Sequence, residues 1–124
     1  MRQITRHLVA PGLALVVWLA APLACATERM AREIEQLLTF VENSQCQFVR
    51  NGSAYSAQQA RAHLEKKQAY LQRKKLLTRT EDFIELAATQ SSMSGKAYEI
   101  RCAAGVQLAG GWLEAELQRI RRSE

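Results

Sequence analysis

Cys46 and Cys102 stand 56 residues apart in a chain of 124. A bond between them would tie most of a small domain into one loop, so the pairing restricts the fold more than any other feature. Whether the thiols oxidise depends on where the chain goes, and its first residues bear on that. Met1–His7 carries Arg2 and Arg6 and no acid, and Leu8–Ala21 is almost wholly apolar. Ala24-Cys25-Ala26 then gives a small-x-small exit before the charged residues begin. A basic head, a short apolar run and such an exit make a secretory signal peptide, with cleavage expected between Ala26 and Thr27. Pro11, Gly12 and Pro22 interrupt the run, which is too short for a comfortable transmembrane helix. Leu23-Ala24-Cys25 also resembles the end of a lipoprotein box. Cleavage before Cys25 would leave a lipidated cysteine, although Pro22 stands where such boxes carry an aliphatic residue.

Removing residues 1–26 leaves Thr27–Glu124, a length that suits one small α+β domain. Arg2 and Arg6 leave with the leader, so 15 of the 17 basic residues remain against 12 acidic ones, a balance of +3. That charge is ordinary for solubility and selects no partner class. With Cys25 gone, Cys46 and Cys102 most simply form one structural disulfide in an oxidising, periplasmic or extracellular compartment. A redox pair would be expected as C-x-x-C, and this spacing does not match.

Ile34, Leu37, Leu38 and Val41 recur at helical spacing within Ala31–Asn43, with Glu33, Glu35 and Glu42 assigned to the wet side. In CQFVRNGSAYS, Asn51-Gly52 predicts a type I′ turn between two short strands. Alternation puts Cys46, Phe48 and Arg50 on one face, with Arg50 at the edge. Ser56 and Gln59 form a capping box for a helix running to about Leu77, with a thin stripe of Ala57, Ala60, Leu64 and Leu71. Thr78 with Glu81, or Thr80 alone, marks the next helix start, and Phe83, Ile84, Ala87 and Ala88 form its stripe. Ala97–Cys102 alternates as a third strand, Ala103–Gly111 reads as a small-residue loop, and Trp112, Leu113, Leu117 and Ile120 mark a closing helix. The expected architecture is about four helices on a three-stranded antiparallel sheet.

The succession CQFVRNGSAYS, ARAHLEKK, EDFIELAATQSSMSGKAYEIRC and WLEAELQRIR resembles the exported bacterial family termed domain of unknown function 5329. The resemblance spans about Ile34 to Arg121. It implies a small secreted or periplasmic protein in which Cys46 and Cys102 are the paired cysteines, and it supplies no catalytic residues. Gln90 and Ala97 depart from the Arg and Pro of that pattern, which argues against a side-chain-specific role for Gln90.

The candidate binding stretch is Ser91, Ser92, Ser94, Gly95, Lys96 and Tyr98. Read as structure, Ser91–Gly95 is a joint, in which serines satisfy helix carbonyls and glycine permits a left-handed turn. Read as function, it is a recognition loop. A hydrolase using Ser92 or Ser94 with Lys96 is the enzymatic alternative, although Met93 occupies the serine position of the usual S-x-x-K spacing. His63 has no Cys/His cluster or Ser–His–Asp set around it in the sequence, and Glu65 and Glu81 qualify as bases only if a cleft reaches them. Neither a metal nor another cofactor is expected. Seven basic residues from Arg61 to Arg79 face one acid, Glu65, but are spread around the helix. Read as structure they are a solvated face; read as function they would contact lipid phosphates or an acidic protein, which makes an envelope protein or an anionic envelope component the partner to test. Aromatics are too sparse among them for nucleic acid. Tyr55, Tyr98 and Trp112 read first as core or core-edge residues, with a saccharide or peptide groove as the functional alternative. The leading expectation is an exported, non-enzymatic binding protein.

Overall fold

The computed structural model describes residues 3–5, 7–17 and 21–124. Arg2 and Arg6 of the basic head and residues 18–20 of the apolar run lie outside the described residues. Residues 3–5 and 7–17 form neither helix nor strand. The first helix, α1, spans Ala21–Asn43, ten residues earlier than expected from the apolar stripe. The added turns are built from good helix formers such as Leu23, Ala24 and Ala26. The Ala26–Thr27 bond therefore lies inside a helix. No described helix is long and apolar enough to cross a membrane.

Strands β1 (Gln47–Arg50) and β2 (Ser53–Tyr55) form the expected hairpin. Asn51 and Gly52 both adopt positive φ, 50° and 79°, as the type I′ turn demands. Helix α2 (Ala57–Arg73) starts at the expected capping box: Ser56 Oγ accepts from Gln59 N, and Gln59 Oε1 accepts from Ser56 N. It stops short of Leu77. Lys75 takes a left-handed φ of 56°, Leu76 N bonds Leu71 O, and Lys75 N bonds Gln72 O. This is a Schellman ending with lysine in glycine's usual place.

The next helix, α3 (Thr80–Phe83), runs directly into a π-helical segment, Ile84–Ala88. Its start differs from the expected pairing of Thr78 with Glu81. Asp82 supplies the carboxylate, accepting from the backbone N–H groups of Thr78 and Arg79 and from the Thr78 hydroxyl. Thr80 is buried instead of capping. Strand β3 (Glu99–Cys102) follows, then β4 (Gly105–Leu108) and helix α4 (Ala109–Arg122).

The sheet has four antiparallel strands in the order β2-β1-β3-β4, one more than the sequence led us to expect. The extra strand occupies the expected loop at Ala103–Gly111. All four of its residues are exposed, so no buried face imposes the alternation by which strands are read. Tyr55, Phe48, Ile100 and Gln107 form one row across the sheet. Phe48 and Ile100 are buried in the core shared with the helices.

The expected stripes of α1, α2, the α3–π segment and α4 are all buried, apart from Trp112, which is half-buried. Trp112 bridges α1 and the sheet, with ring centroids 4.3 Å from Phe40 and 5.7 Å from Phe48. Cys46 and Cys102 are bonded, with Cα atoms 4.5 Å apart, locking β1 to β3 at one end.

One residue reverses its expected side. Glu33 is 1% exposed rather than solvated. Arg121 of α4 bonds both of its carboxylate oxygens, at 3.2 and 2.9 Å, and Arg29 donates at 3.0 Å. Arg121 also pairs with Glu81.

Candidate functional site

The Ser91–Lys96 loop is a small hairpin. Ser91 N donates to Lys96 O at 2.9 Å, Gly95 N donates to Ser91 O at 2.9 Å, and Gln90 bridges Ala97. Gly95 has a φ of 71°, the left-handed turn anticipated for it. The serines do not cap the preceding helix. Thr89 does that, its hydroxyl donating to Ile84 O at 2.8 Å. Ser91, buried, instead accepts on Oγ from Asn51 Nδ2 at 3.2 Å and from Ser94 N at 3.3 Å. Ser94 Oγ donates to Asn51 Oδ1 and accepts from Lys96 N. The loop is thus clipped to the β1–β2 turn. Among the described residues no hydrogen bond joins Ser92 or Ser94 to the Lys96 amine, so the geometry assembles no Ser–Lys pair. Ser92 and Lys96 are exposed.

Tyr98 belongs elsewhere. Tyr98 N bonds Thr89 O at 2.9 Å, setting the residue beside the π-helical segment as the chain enters β3. Its ring reaches a cavity of about 320 Å³ between the β1–β2 hairpin and α2. Phe48, Leu64, Ala88 and Leu113 are among the buried apolar residues lining it. Arg50, Tyr55, His63 and Lys66 occupy its partly or fully exposed side.

The polar groups form a connected cluster. Arg50 Nη1 lies 3.0 Å from His63 Nδ1 and 3.2 Å from Nε2. A guanidinium can only donate, so this contact favours the neutral imidazole, which keeps a lone pair to accept. His63 Nε2 lies 3.4 Å from the Tyr98 hydroxyl, which also accepts from Lys67 Nζ at 3.3 Å. Arg50 Nη2 donates to the Tyr55 hydroxyl at 3.4 Å, and its guanidinium carbon lies 5.1 Å from that ring's centroid.

Two sheet strands, the β3 approach and one turn of α2 therefore meet at one point. Burial, then the charges of Arg50, Lys67 and Lys66, hold His63 below its ordinary 6.5. Burial and Arg50 lower Lys67, and burial raises Tyr98 against the pull of Arg50. The bond from Arg50 lowers Tyr55. Burial leads for His63, Lys67 and Tyr98 and the Arg50 bond for Tyr55, and no carboxylate among the cavity's lining residues offsets the positive charge.

That imbalance is local. Arg61 on the same helix is held by Glu35, Glu42 and Glu65; Arg79 pairs with Asp82, and Arg119 with Glu116. Glu65 and Glu81 are thus engaged in ion pairs and are not presented to a cleft as bases. Among the described residues no three His, Cys, Asp or Glu side chains gather to hold a metal. Of the aromatic candidates, Tyr55 and Tyr98 line the cavity, whereas Trp112 packs in the core.

Residues 28–121 match the family of unknown function DUF5329. The chain belongs to that family. No curated protein and no solved structure matches it. For this DUF5329 protein, the sequence separately singled out Tyr98, Tyr55 and His63 and placed Arg50 at the edge of the inward face, but did not join them. Two signals were available: Arg50 follows Phe48 by two residues in a strand, and His63 and Lys67 stand four apart on a helix. What the sequence lacked was the packing of β1 against α2.

Proposed function

We propose that this chain is an exported binding protein, not an enzyme, and that it captures the anionic group of a cell-envelope component in the cavity beside Arg50. The observation that carries the reading is the excess of donors. Arg50 and Lys66 line the cavity with His63, Tyr55 and Tyr98, Arg50 bonds His63 and Tyr55, Lys67 reaches the Tyr98 hydroxyl, and no acid is among the lining residues. Their neutral acceptors are weak partners for two charged donors. An oxyanion would satisfy those donors more strongly, because hydrogen bonds with both partners charged are the shorter and stronger kind. The Ser91–Lys96 loop lies outside the cavity lining and enters the proposal only as a clip on the turn that follows Arg50. The joined cations and the two tyrosines supply recognition, while no positioned nucleophile accompanies them.

The test is a titration of the purified protein with phosphate, sulfate and acetate, followed through the His63 ring signals by nuclear magnetic resonance. An anion in the site offsets the repulsion from Arg50, Lys66 and Lys67, so the His63 pKa is expected to rise. By linkage, anion affinity must then increase as pH falls through His63's titration range, because proton and anion favour one another. Ring signals and pKa that do not respond to any of the three anions would overturn the reading.

Export has its own test. Intact mass of the protein recovered from the envelope fraction is expected to begin at Thr27. A mass beginning at a lipidated Cys25 would replace the soluble form with an anchored one. An unprocessed Met1 terminus would remove the basis for the compartment.

A further inference from the structure

We infer that the ligand of this cavity is an amphipathic anion: one oxyanion head, carboxylate or phosphate monoester, carried on a short apolar tail. This rests on the anion-binding reading above and goes beyond it, because a site for a bare inorganic anion needs no apolar chamber.

The cavity is graded from one side to the other. Ala88, Ala109 and Leu113 are 2%, 2% and 1% exposed, and Phe48, Ala60 and Leu64 lie between 5% and 9%. These six side chains offer hydrocarbon and no hydrogen-bonding atom. Arg50 and His63 are half-exposed, and Lys66 and Gln59 are exposed. A ligand following this gradient places its head among the cations and its tail against the alanines and leucines. Ligand pockets commonly combine such apolar walls with a few placed polar groups.

Size follows from volume. About 320 Å³ lies at the small end of the ~300–1,000 Å³ typical of ligand pockets, so the tail must be short. Octanoate is a probe with such a tail. The small side chains of Ala60, Ala88 and Ala109 leave that space, and the π-helical segment ending at Ala88 forms part of the wall. Such single-turn π elements recur at functional sites. Tail burial contributes apolar transfer energy that acetate cannot supply.

The experiment is a calorimetric titration of the purified protein with octanoate, octyl phosphate, octan-1-ol, octylamine, acetate and inorganic phosphate. Octanoate or octyl phosphate is expected to bind at least a hundredfold more tightly than acetate or inorganic phosphate. It should also bind at least tenfold more tightly than octanol, with octylamine weakest. Which of the two octyl anions is tighter identifies the head. Arg50→Gln, at a half-exposed position, should weaken the octyl anion about tenfold while the circular dichroism spectrum is unchanged. Acetate and phosphate binding as tightly as their octyl counterparts would overturn the amphipathic inference and leave the anion site standing. Octanol or octylamine matching octanoate would overturn it as well. No binding by any anion would remove both readings together.

Discussion

Reducing the Cys46–Cys102 bond is expected to lower the melting temperature by roughly 15–30 °C. The bond closes a loop spanning 56 residues, which in the chain-entropy account stabilises the fold by about 4 kcal/mol. For a domain of this size each kcal/mol moves the midpoint by about 4–8 °C. Local architecture makes the bond matter beyond its effect on the unfolded chain. Strands β1 and β3 are only four residues each, and β1 joins the hairpin to everything that follows α2. Without the bridge, three paired positions hold that junction. Thermal unfolding with and without reductant, alongside a Cys46→Ala/Cys102→Ala variant, measures the effect. Equal midpoints would show that the bond restricts neither state. The cation cluster makes a second readout available. Arg50 sits at the far end of β1 from Cys46, so a loosened strand should also weaken anion binding.

Periodicity carried most of the fold. The four apolar stripes, the capping box at Ser56 and the turn at Asn51-Gly52 were legible because each is a local pattern with a local physical cause. Failures came where the cause was not local. Strand β4 escaped because an exposed edge strand imposes no alternation on Val106, Gln107 and Leu108. Glu33 was placed in water because a carboxylate beside the stripe of Ile34, Leu37, Leu38 and Val41 reads as solvated. Its partner, Arg121, is 88 residues away.

The candidate site divides in the same manner. The Ser91–Gly95 segment was recognisable as a turn, and Gly95 does take the left-handed conformation. Its serines bond the hairpin turn rather than helix carbonyls, through contacts 40 and 43 positions apart in the chain that no local pattern encodes. The basic character of α2 was evident, yet the informative fact is which charges are neutralised. Arg61 is surrounded by three carboxylates, two of them on α1. Lys66 instead shares the cavity lining with Arg50, Lys67 reaches the Tyr98 hydroxyl, and only the placement of β1 distinguishes them.

Replacing Arg121 with methionine is expected to lower the melting temperature by roughly 10–20 °C and to change the acid sensitivity of the fold. Glu33 is buried, and Arg121 supplies two of the three bonds to its carboxylate. Removing one partner of a buried pair leaves an uncompensated charge, which costs about 3–5 kcal/mol. The lower end applies because the Arg121 side chain is 28% exposed and water can partly replace it. Burial by itself raises the Glu33 pKa, but Arg121, Thr80 and Arg29 outweigh it and hold the carboxyl below its ordinary 4.5. The depressed value means that Glu33 stabilises the native fold fully above about 4.5, and that this contribution disappears as pH falls through the folded value. In Arg121→Met, Arg29 and Thr80 still bond Glu33, but burial weighs more against the charge, so the Glu33 pKa is expected to rise and protonation to relieve part of the penalty. The gap between the two proteins should therefore be widest near neutrality and narrow below about pH 4.5. A Glu33→Met/Arg121→Met double variant, which removes both charges and fills the space, should recover most of the loss. Melting curves of the three proteins between about pH 3 and 7 decide the matter. A gap constant with pH would show that Arg121 contributes through packing alone.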